Sequence, residues 1–559
     1  MIKVKWRSRI PQKLFLVTLA CVLGLAAGCA SSPDDSNTKK GAATGAAVGA
    51  GIGLLFGVLS GDSEMAVAAT AMGAAAGAID GGYEGYRQDQ ENNRTQALAD
   101  AIRGVAAGRH GPMVGILLPN ASDHVLAYMA CQWANAGAVP VNSRMAPPEM
   151  QFVIEDSDAK LILAAEPYME AARTLAAATG ATIIDADSID TPDRSGPLVL
   201  GEAGRGAEHA VVGYTSGTTG FPKGALYSND HYLTSCMRWG WEFGLTARDV
   251  MLVPGPLFHL SYAGLSFAAL AIGARIRIMQ TFEAPLAMEE LAERSTFAFL
   301  VPSMTTMIAE EWRRQDCPPI SAFRFMISSG APGPLSLTKQ CLEMFPNAQI
   351  AEAYGWMEGG WVTFEVKDRE TLLAHSVGWP TFGNEVAVFD EAGQPCPVGE
   401  PGEVGVKALT HFSGYLGRDD ATEAAWHRPD GHAQGYVMSG DVGIWQPDGR
   451  LCIVDRKKDM IISGGENIYT AEVERILHEH PDIIEAAVVG LPDDRWGELV
   501  TAMIVSRDPE LQPDAVETFC RERLAGYKVP RRVIVTDALP RNPMGKVQKF
   551  RIIEGLTAG

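Results

Sequence analysis

The stretch "YTSGTTGFPKG", residues 214–224, decides the reading of this chain. It holds Gly217, Gly220 and Gly224, the hydroxyls of Tyr214, Thr215, Ser216, Thr218 and Thr219, and one cation, Lys223. An apolar run, Ala210-Val211-Val212, precedes it and reads as a strand. Glycines allow close backbone approach and hydroxyls and amide N–H groups donate hydrogen bonds, so the stretch reads as a phosphate-binding loop. It is not the Gly-Lys-Ser/Thr loop of P-loop nucleotide binders, because Lys223 follows Pro222 and precedes Gly224.

The remaining sequence places this loop in a multidomain α/β protein. At 559 residues the chain exceeds a single core, so two to four domains are expected. The net charge of −20 repels nucleic acid and excludes it as a partner. The nine cysteines are scattered without a C-x-x-C pair and read as thiols of a reducing compartment. Apolar runs such as "MVGILLP", "AKLILAA", "ATIID", "FAFLVP" and "FRFMIS" alternate with helical stretches, the pattern of largely buried sheets between helices. The expected boundaries are a signal at 1–29, a glycine-zipper or linker segment at 30–95, a large domain at 96–456 and a small mobile α+β domain at 457–559.

The front end is of another kind. Lys3, Lys5, Arg7, Arg9 and Lys13 precede an apolar run and then Gly28-Cys29, a secretory signal whose end resembles a bacterial lipobox with Cys29 as the lipidated residue. Glycines then recur every fourth residue, from Gly41 to Gly61 and again from Gly73 to Gly85. On a helix this spacing makes one smooth face for close packing, as in membrane helix pairs. Residues 1–85 are therefore expected to associate with a membrane, and the segment resembles the glycine zipper of outer-membrane lipoproteins.

The loop and a series of later motifs resemble the AMP-forming adenylating enzymes, the superfamily of acyl-CoA synthetases and peptide-synthetase adenylation domains. Thr215, Ser216, Gly217, Thr218, Thr219, Gly220 and Lys223 match its phosphate loop. Pro256-Leu257-Phe258-His259 matches its aromatic-His segment, and Ser329-Gly330-Ala331-Pro332 its adenine turn. Tyr354-Gly355-Trp356-Met357-Glu358 matches the Y-G-x-T-E motif, Ser439-Gly440-Asp441 the ribose aspartate, and Asp455-Arg456-Lys457-Lys458-Asp459 the hinge. Gly464-Gly465-Glu466-Asn467 and Pro540-Arg541-Asn542-Pro543-Met544-Gly545-Lys546 complete the series, across residues 97–556. The resemblance implies a large adenylating domain of layered mixed sheets and helices, with ATP, Mg²⁺ and CoA as co-substrates and cofactor.

It also implies roles. Gly330, Ala331, Pro332 and Tyr354 would contact adenine, Asp441 and Arg456 the ribose, and Glu358 Mg²⁺. Lys546 would bridge the substrate carboxylate and the α-phosphate. Lys458 would be the hinge, and Gly464, Gly465 and Glu466 would line the CoA channel. His259 either gates the acyl pocket or is a packed core histidine.

Three departures qualify the resemblance. Met357 replaces the family's threonine and cannot donate a hydrogen bond to the α-phosphate. The front of the large domain is expected to be truncated, leaving a sheet edge exposed. An export signal conflicts with cytosolic ATP and CoA. The expected activity is that of an AMP-forming acyl-CoA synthetase for a fatty or aromatic acid, with loading of an acyl carrier protein as a second enzymatic option. The alternative is a membrane-associated glycine-zipper lipoprotein fused to an impaired synthetase.

Overall fold

A computed structural model describes residues 82–191, 211–215, 222–331, 333–369, 372, 376–429, 435–541 and 547–557. Cys29, the zipper glycines up to residue 81, residues 216–221, Pro332 and Lys546 lie outside the described residues, as does the side chain of Thr215.

The first sheet has seven strands, in the order Gly414–Tyr415, Lys223–Tyr227, Val211–Thr215, Gly137–Pro140, Met113–Leu117, Leu161–Ala164, Thr182–Asp185. Its central strands are parallel and buried on both faces, which is why they read as unbroken apolar runs. Val114, Ile116, Leu161 and Leu163 point into one core cluster, while Met113, Leu117, Ile162 and Ala164 point into another. The helix Gly82–Ile102 closes one side, with Leu98, Ala99 and Ile102 fully buried. Arg94 of this helix forms an ion pair with Asp123 at 2.5 Å and donates to the carbonyl of Ile189 at 2.7 Å. From Arg94 onward this helix packs on the large domain.

The second sheet has twelve strands. One end is parallel, built from Gln349–Trp356, Phe325–Ser328, Phe297–Leu300, Val250–Val253 and Arg275–Ile278. The other end is antiparallel and includes Gly360–Val366, Ser376–Pro380, Leu451–Arg456 and Tyr436–Trp445. A buried charge cluster pins the junction: Lys367 sits 2.9 Å from Glu365 and 3.2 Å from Glu352, two residues before Tyr354. The small domain follows as a five-stranded sheet around Ile483–Asp493 and Gly497–Ser506, with its own core of Ile461, Val473, Val488, Val500 and Ile504. The architecture is the mixed α/β, large-plus-small arrangement expected from the sequence.

One core histidine makes stability pH-dependent. His124 is 1% exposed, with Nδ1 3.1 Å from the carbonyl oxygen of Leu118, and burial lowers its pKa from 6.5 to about 4. The unfolded chain takes up this proton near the higher value and the folded chain near the lower one. Its contribution is therefore complete above pH 6.5 and is lost as pH falls toward 4. His124→Gln is expected to remove about 3 kcal/mol of acid sensitivity across that window, read from urea midpoints at pH 7 and pH 4. An unchanged pH slope would assign the sensitivity to other groups.

Candidate active site

The strands flanking the glycine-threonine loop form an antiparallel hairpin, in which Tyr214 pairs with Gly224 and Thr215 with Lys223. Lys223 therefore stands at the base of the returning strand, and not at the start of a helix. Gly213, two residues before Thr215, is closely packed: a Cβ there would lie 2.7 Å from Leu260 Cδ1 and 2.8 Å from Met357 Sδ, so those side-chain ends would have to shift.

Asp441 is 5% exposed, and its carboxylate is held from two directions. Tyr354 Oη donates to Oδ2 at 2.8 Å, and Arg456 Nε lies 3.0 Å from Oδ1. Arg456 reaches it because Asp441 and Arg456 are direct partners across antiparallel strands. Each oxygen keeps a further lone pair, so the carboxylate can still accept from a ligand hydroxyl. Tyr354 lies beside a bulge between Tyr354 and Gly355, where a Cβ on Gly355 would come within 2.0 Å of the carbonyl of Gly360. Gly330, two residues past the end of the neighbouring strand Phe325–Ser328, has φ +93°, and Ala331 beside it is exposed.

The turn after Trp356 is clamped by groups far away in sequence. Tyr227 Oη donates to the carbonyl of Met357 at 2.5 Å, the amide of Phe412 donates to the carbonyl of Glu358 at 3.0 Å, and Tyr415 Oη donates to Glu358 Oε1. Burial, then the Glu358 charge, holds both tyrosine phenols well above their ordinary pKa, so they remain protonated donors. Sequence reasoning missed Tyr227 and Tyr415, since neither carries a local signal. Among the described residues no three His, Cys, Asp or Glu side chains gather as a metal cluster. The Glu358 carboxylate is a hard oxygen donor that could hold Mg²⁺ carried on phosphate oxygens.

His259 caps the helix Leu260–Ile272, with Nδ1 accepting from the amide of Ser261 at 3.4 Å. Burial lowers its pKa to about 4, so the ring is neutral at pH 7. Its neighbour Tyr262 begins a row of rings through Phe299, Trp361 and Trp239, spaced 4.7, 5.8 and 4.9 Å.

Between the domains, the amide of Lys457 donates to the carbonyl of Gly440 at 2.9 Å, and Lys458 is exposed. Asp455 accepts from the amide and the hydroxyl of Thr470, which opens a helix of the small domain. Gly464 and Gly465, at φ +62° and +84°, form the tight turn between Ile461–Ser463 and Glu466–Ile468, and Glu466 is exposed. The stretch 542–546 has fixed ends: Arg541 bridges to Val547, and the amide of Gln548 donates to the carbonyl of Pro540 at 2.8 Å.

Comparison with known proteins gives three family matches: AMP-binding enzyme over residues 69–416, AMP-binding enzyme C-terminal domain over 472–546, and YMGG-like Gly-zipper over 11–89. The first match begins ahead of the boundary expected at 96. Among curated proteins, the chain is 32% identical over 482 residues to a long-chain-fatty-acid–CoA ligase of Mycobacterium tuberculosis, covering 84% of this chain and 93% of the relative. It is 34% identical over 473 residues to a feruloyl-CoA synthase of Amycolatopsis, covering 82% and 92%. Among solved structures, the o-succinylbenzoate CoA synthetase of Bacillus subtilis in complex with its acyl-adenylate intermediate is similar at TM-score 0.72 and 30% identity, covering 83% of this chain and 91% of that one.

Proposed function

From the premise that this chain belongs to the AMP-binding enzyme family, we propose a fatty or aromatic acid as its substrate and the Asp441 and Glu358 clusters as its nucleotide grip. The chain is an AMP-forming acyl-CoA synthetase that uses ATP, Mg²⁺ and CoA. A carboxylate oxygen of the acid attacks the α-phosphorus, and the bond to the β-phosphate breaks to release pyrophosphate. The thiol sulfur of CoA then attacks the acyl carbon and AMP leaves.

The observation that carries the nucleotide reading is the buried Asp441 carboxylate, fixed by Tyr354 and by Arg456 at the end of the strand Leu451–Arg456. A preorganised acceptor of this kind suits a diol such as ribose, with Tyr354 and Gly330-Ala331 toward the base. Lys223 and the hydroxyls of the loop serve the phosphates. Glu358 would hold Mg²⁺, which when bound offsets charge on the leaving pyrophosphate. Lys458 serves as the pivot, and the Gly464-Gly465-Glu466 turn as the CoA side.

The choice of an apolar acid rests on the relatives, because the ring row from Tyr262 to Trp239 is buried core. Feruloyl and long-chain fatty-acid ligases among the relatives favour the same class. ATP–pyrophosphate exchange with fatty, aryl and short dicarboxylic acids tests it. Exchange confined to the dicarboxylic acids overturns the choice of acid.

The zipper match over residues 11–89 favours membrane association through the front of the chain. No helix among the described residues is long and apolar enough to cross a membrane. Mass spectrometry of the mature N-terminus and membrane flotation of the full chain test the association and lipid on Cys29. An unmodified N-terminus with no flotation removes both.

A further inference from the structure

The short strand Gly414–Tyr415 brings a side chain to the phosphate hairpin from about two hundred residues away in sequence. Gly414 pairs with Leu226 and Tyr415 with Ala225, and the pairing is extended by Ser413 N donating to Leu226 O at 2.7 Å and Leu416 N to Gly224 O at 2.8 Å. Gly414 has φ +145°, and a Cβ there would lie 3.0 Å from Thr422 Cγ2. The Tyr415 amide donates to Thr422 Oγ1 at 2.8 Å, which fixes the residue's backbone. Its half-buried side chain meets two charged groups. The hydroxyl donates to Glu358 Oε1, and Lys223 Nζ sits 5.1 Å from the ring centroid.

We propose that Tyr415 is a positioning residue for the metal–nucleotide complex: its hydroxyl aims the Glu358 carboxylate, and its ring face holds the Lys223 ammonium beside it. The proposal rests on the reading of Glu358 as the Mg²⁺ carboxylate. A glutamate on a turn has three side-chain torsions, and a single charge-assisted hydrogen bond to its carboxylate removes much of that freedom. Phe412, three residues upstream, holds the Glu358 carbonyl at 3.0 Å, so one segment fixes both backbone and side chain of that glutamate. The ring offers Lys223 a cation–π contact, which orders the ammonium without neutralising it. Tyr415 thereby ties the carboxylate and the cation to one aromatic plane.

Tyr415→Phe keeps the ring under Lys223 and removes only the hydroxyl. Calorimetry measures the affinity of full-length protein for ATP with Mg²⁺ and for ATP with chelator, and their ratio is the metal preference. Tyr415→Phe is expected to lower that preference by about tenfold while leaving metal-free ATP binding unchanged. Tyr415→Leu, which also removes the ring, is expected to weaken metal-free ATP binding by about threefold as well. Glu358→Gln separates the two readings. If it abolishes the metal preference and Tyr415→Phe does not alter it, the role of Tyr415 is overturned. If Glu358→Gln itself keeps the preference, the metal reading of that carboxylate fails. In the Glu358→Gln background, Tyr415→Phe is expected to have no further effect; a full tenfold effect there would also overturn the proposal.

Discussion

Lys546→Ala is expected to slow ATP–pyrophosphate exchange by about a thousandfold, while thioester formation from preformed acyl-adenylate stays within about twofold of wild type. The first half-reaction brings a carboxylate against an α-phosphate, and the repulsion of two anions is its main obstacle. A cation bridging both oxygens removes that obstacle, and does so most strongly where water is excluded. The second half-reaction begins with a neutral thioester-forming centre and needs no such bridge. The protein holds both ends of the segment that carries residue 546. Arg541 bridges to Val547 and pairs with Glu485 at 2.8 Å, and Lys549 pairs with Glu474 at 2.8 Å on the helix opened by Thr470. That helix is tied in turn to Asp455, next to the hinge. Equal exchange rates in Lys546→Ala and wild type would remove this lysine from the mechanism. An equal loss in both half-reactions would make its role structural.

The sequence disclosed the parts of this fold whose physics is local. Strands such as Leu161–Ala164 and Phe297–Leu300 are buried on both faces and so must be apolar throughout. Other parts depend on sheet order, which no local pattern encodes. Lys223 begins a strand that returns antiparallel to Val211–Thr215, whereas the residues around it read only as loop. Tyr415 reaches Glu358 because its strand pairs with that same returning strand, and Tyr227 reaches Met357 for a similar reason. The Asp455–Thr470 contact is equally hidden, since it joins two domains on either side of the hinge. Motif resemblance pointed to Tyr354, Glu358 and Asp441, whereas the hydrogen bonds of Tyr227 and Tyr415 became visible only in three dimensions.

Met357→Thr is expected to raise the rate of adenylation by tens of fold and up to about a hundredfold, the scale of a single transition-state donor gained. The thioether cannot donate to an α-phosphate oxygen, whereas a threonine hydroxyl at this turn can. The backbone should accept the change unaltered, because the carbonyls of residues 357 and 358 are held by Tyr227 at 2.5 Å and Phe412 at 3.0 Å. What the substitution loses is packing. Met357 packs against the large-domain core, with Sδ 2.8 Å and Cε 3.1 Å from where a Cβ on Gly213 would stand. Withdrawing those atoms opens space beneath the phosphate hairpin and should lower stability by about 1–2 kcal/mol. Activity and stability are therefore expected to move in opposite directions. Met357→Val separates the two causes, since valine has nearly the shape of threonine without the hydroxyl. Valine should show the same loss of thermal stability as threonine and no gain in exchange rate. If valine accelerates exchange as much as threonine does, relief of crowding at Gly213 is the cause and the missing donor is not. If threonine leaves exchange unchanged or slower, the methionine is not a defect in this site, and the α-phosphate draws its hydrogen bonds from elsewhere in the loop.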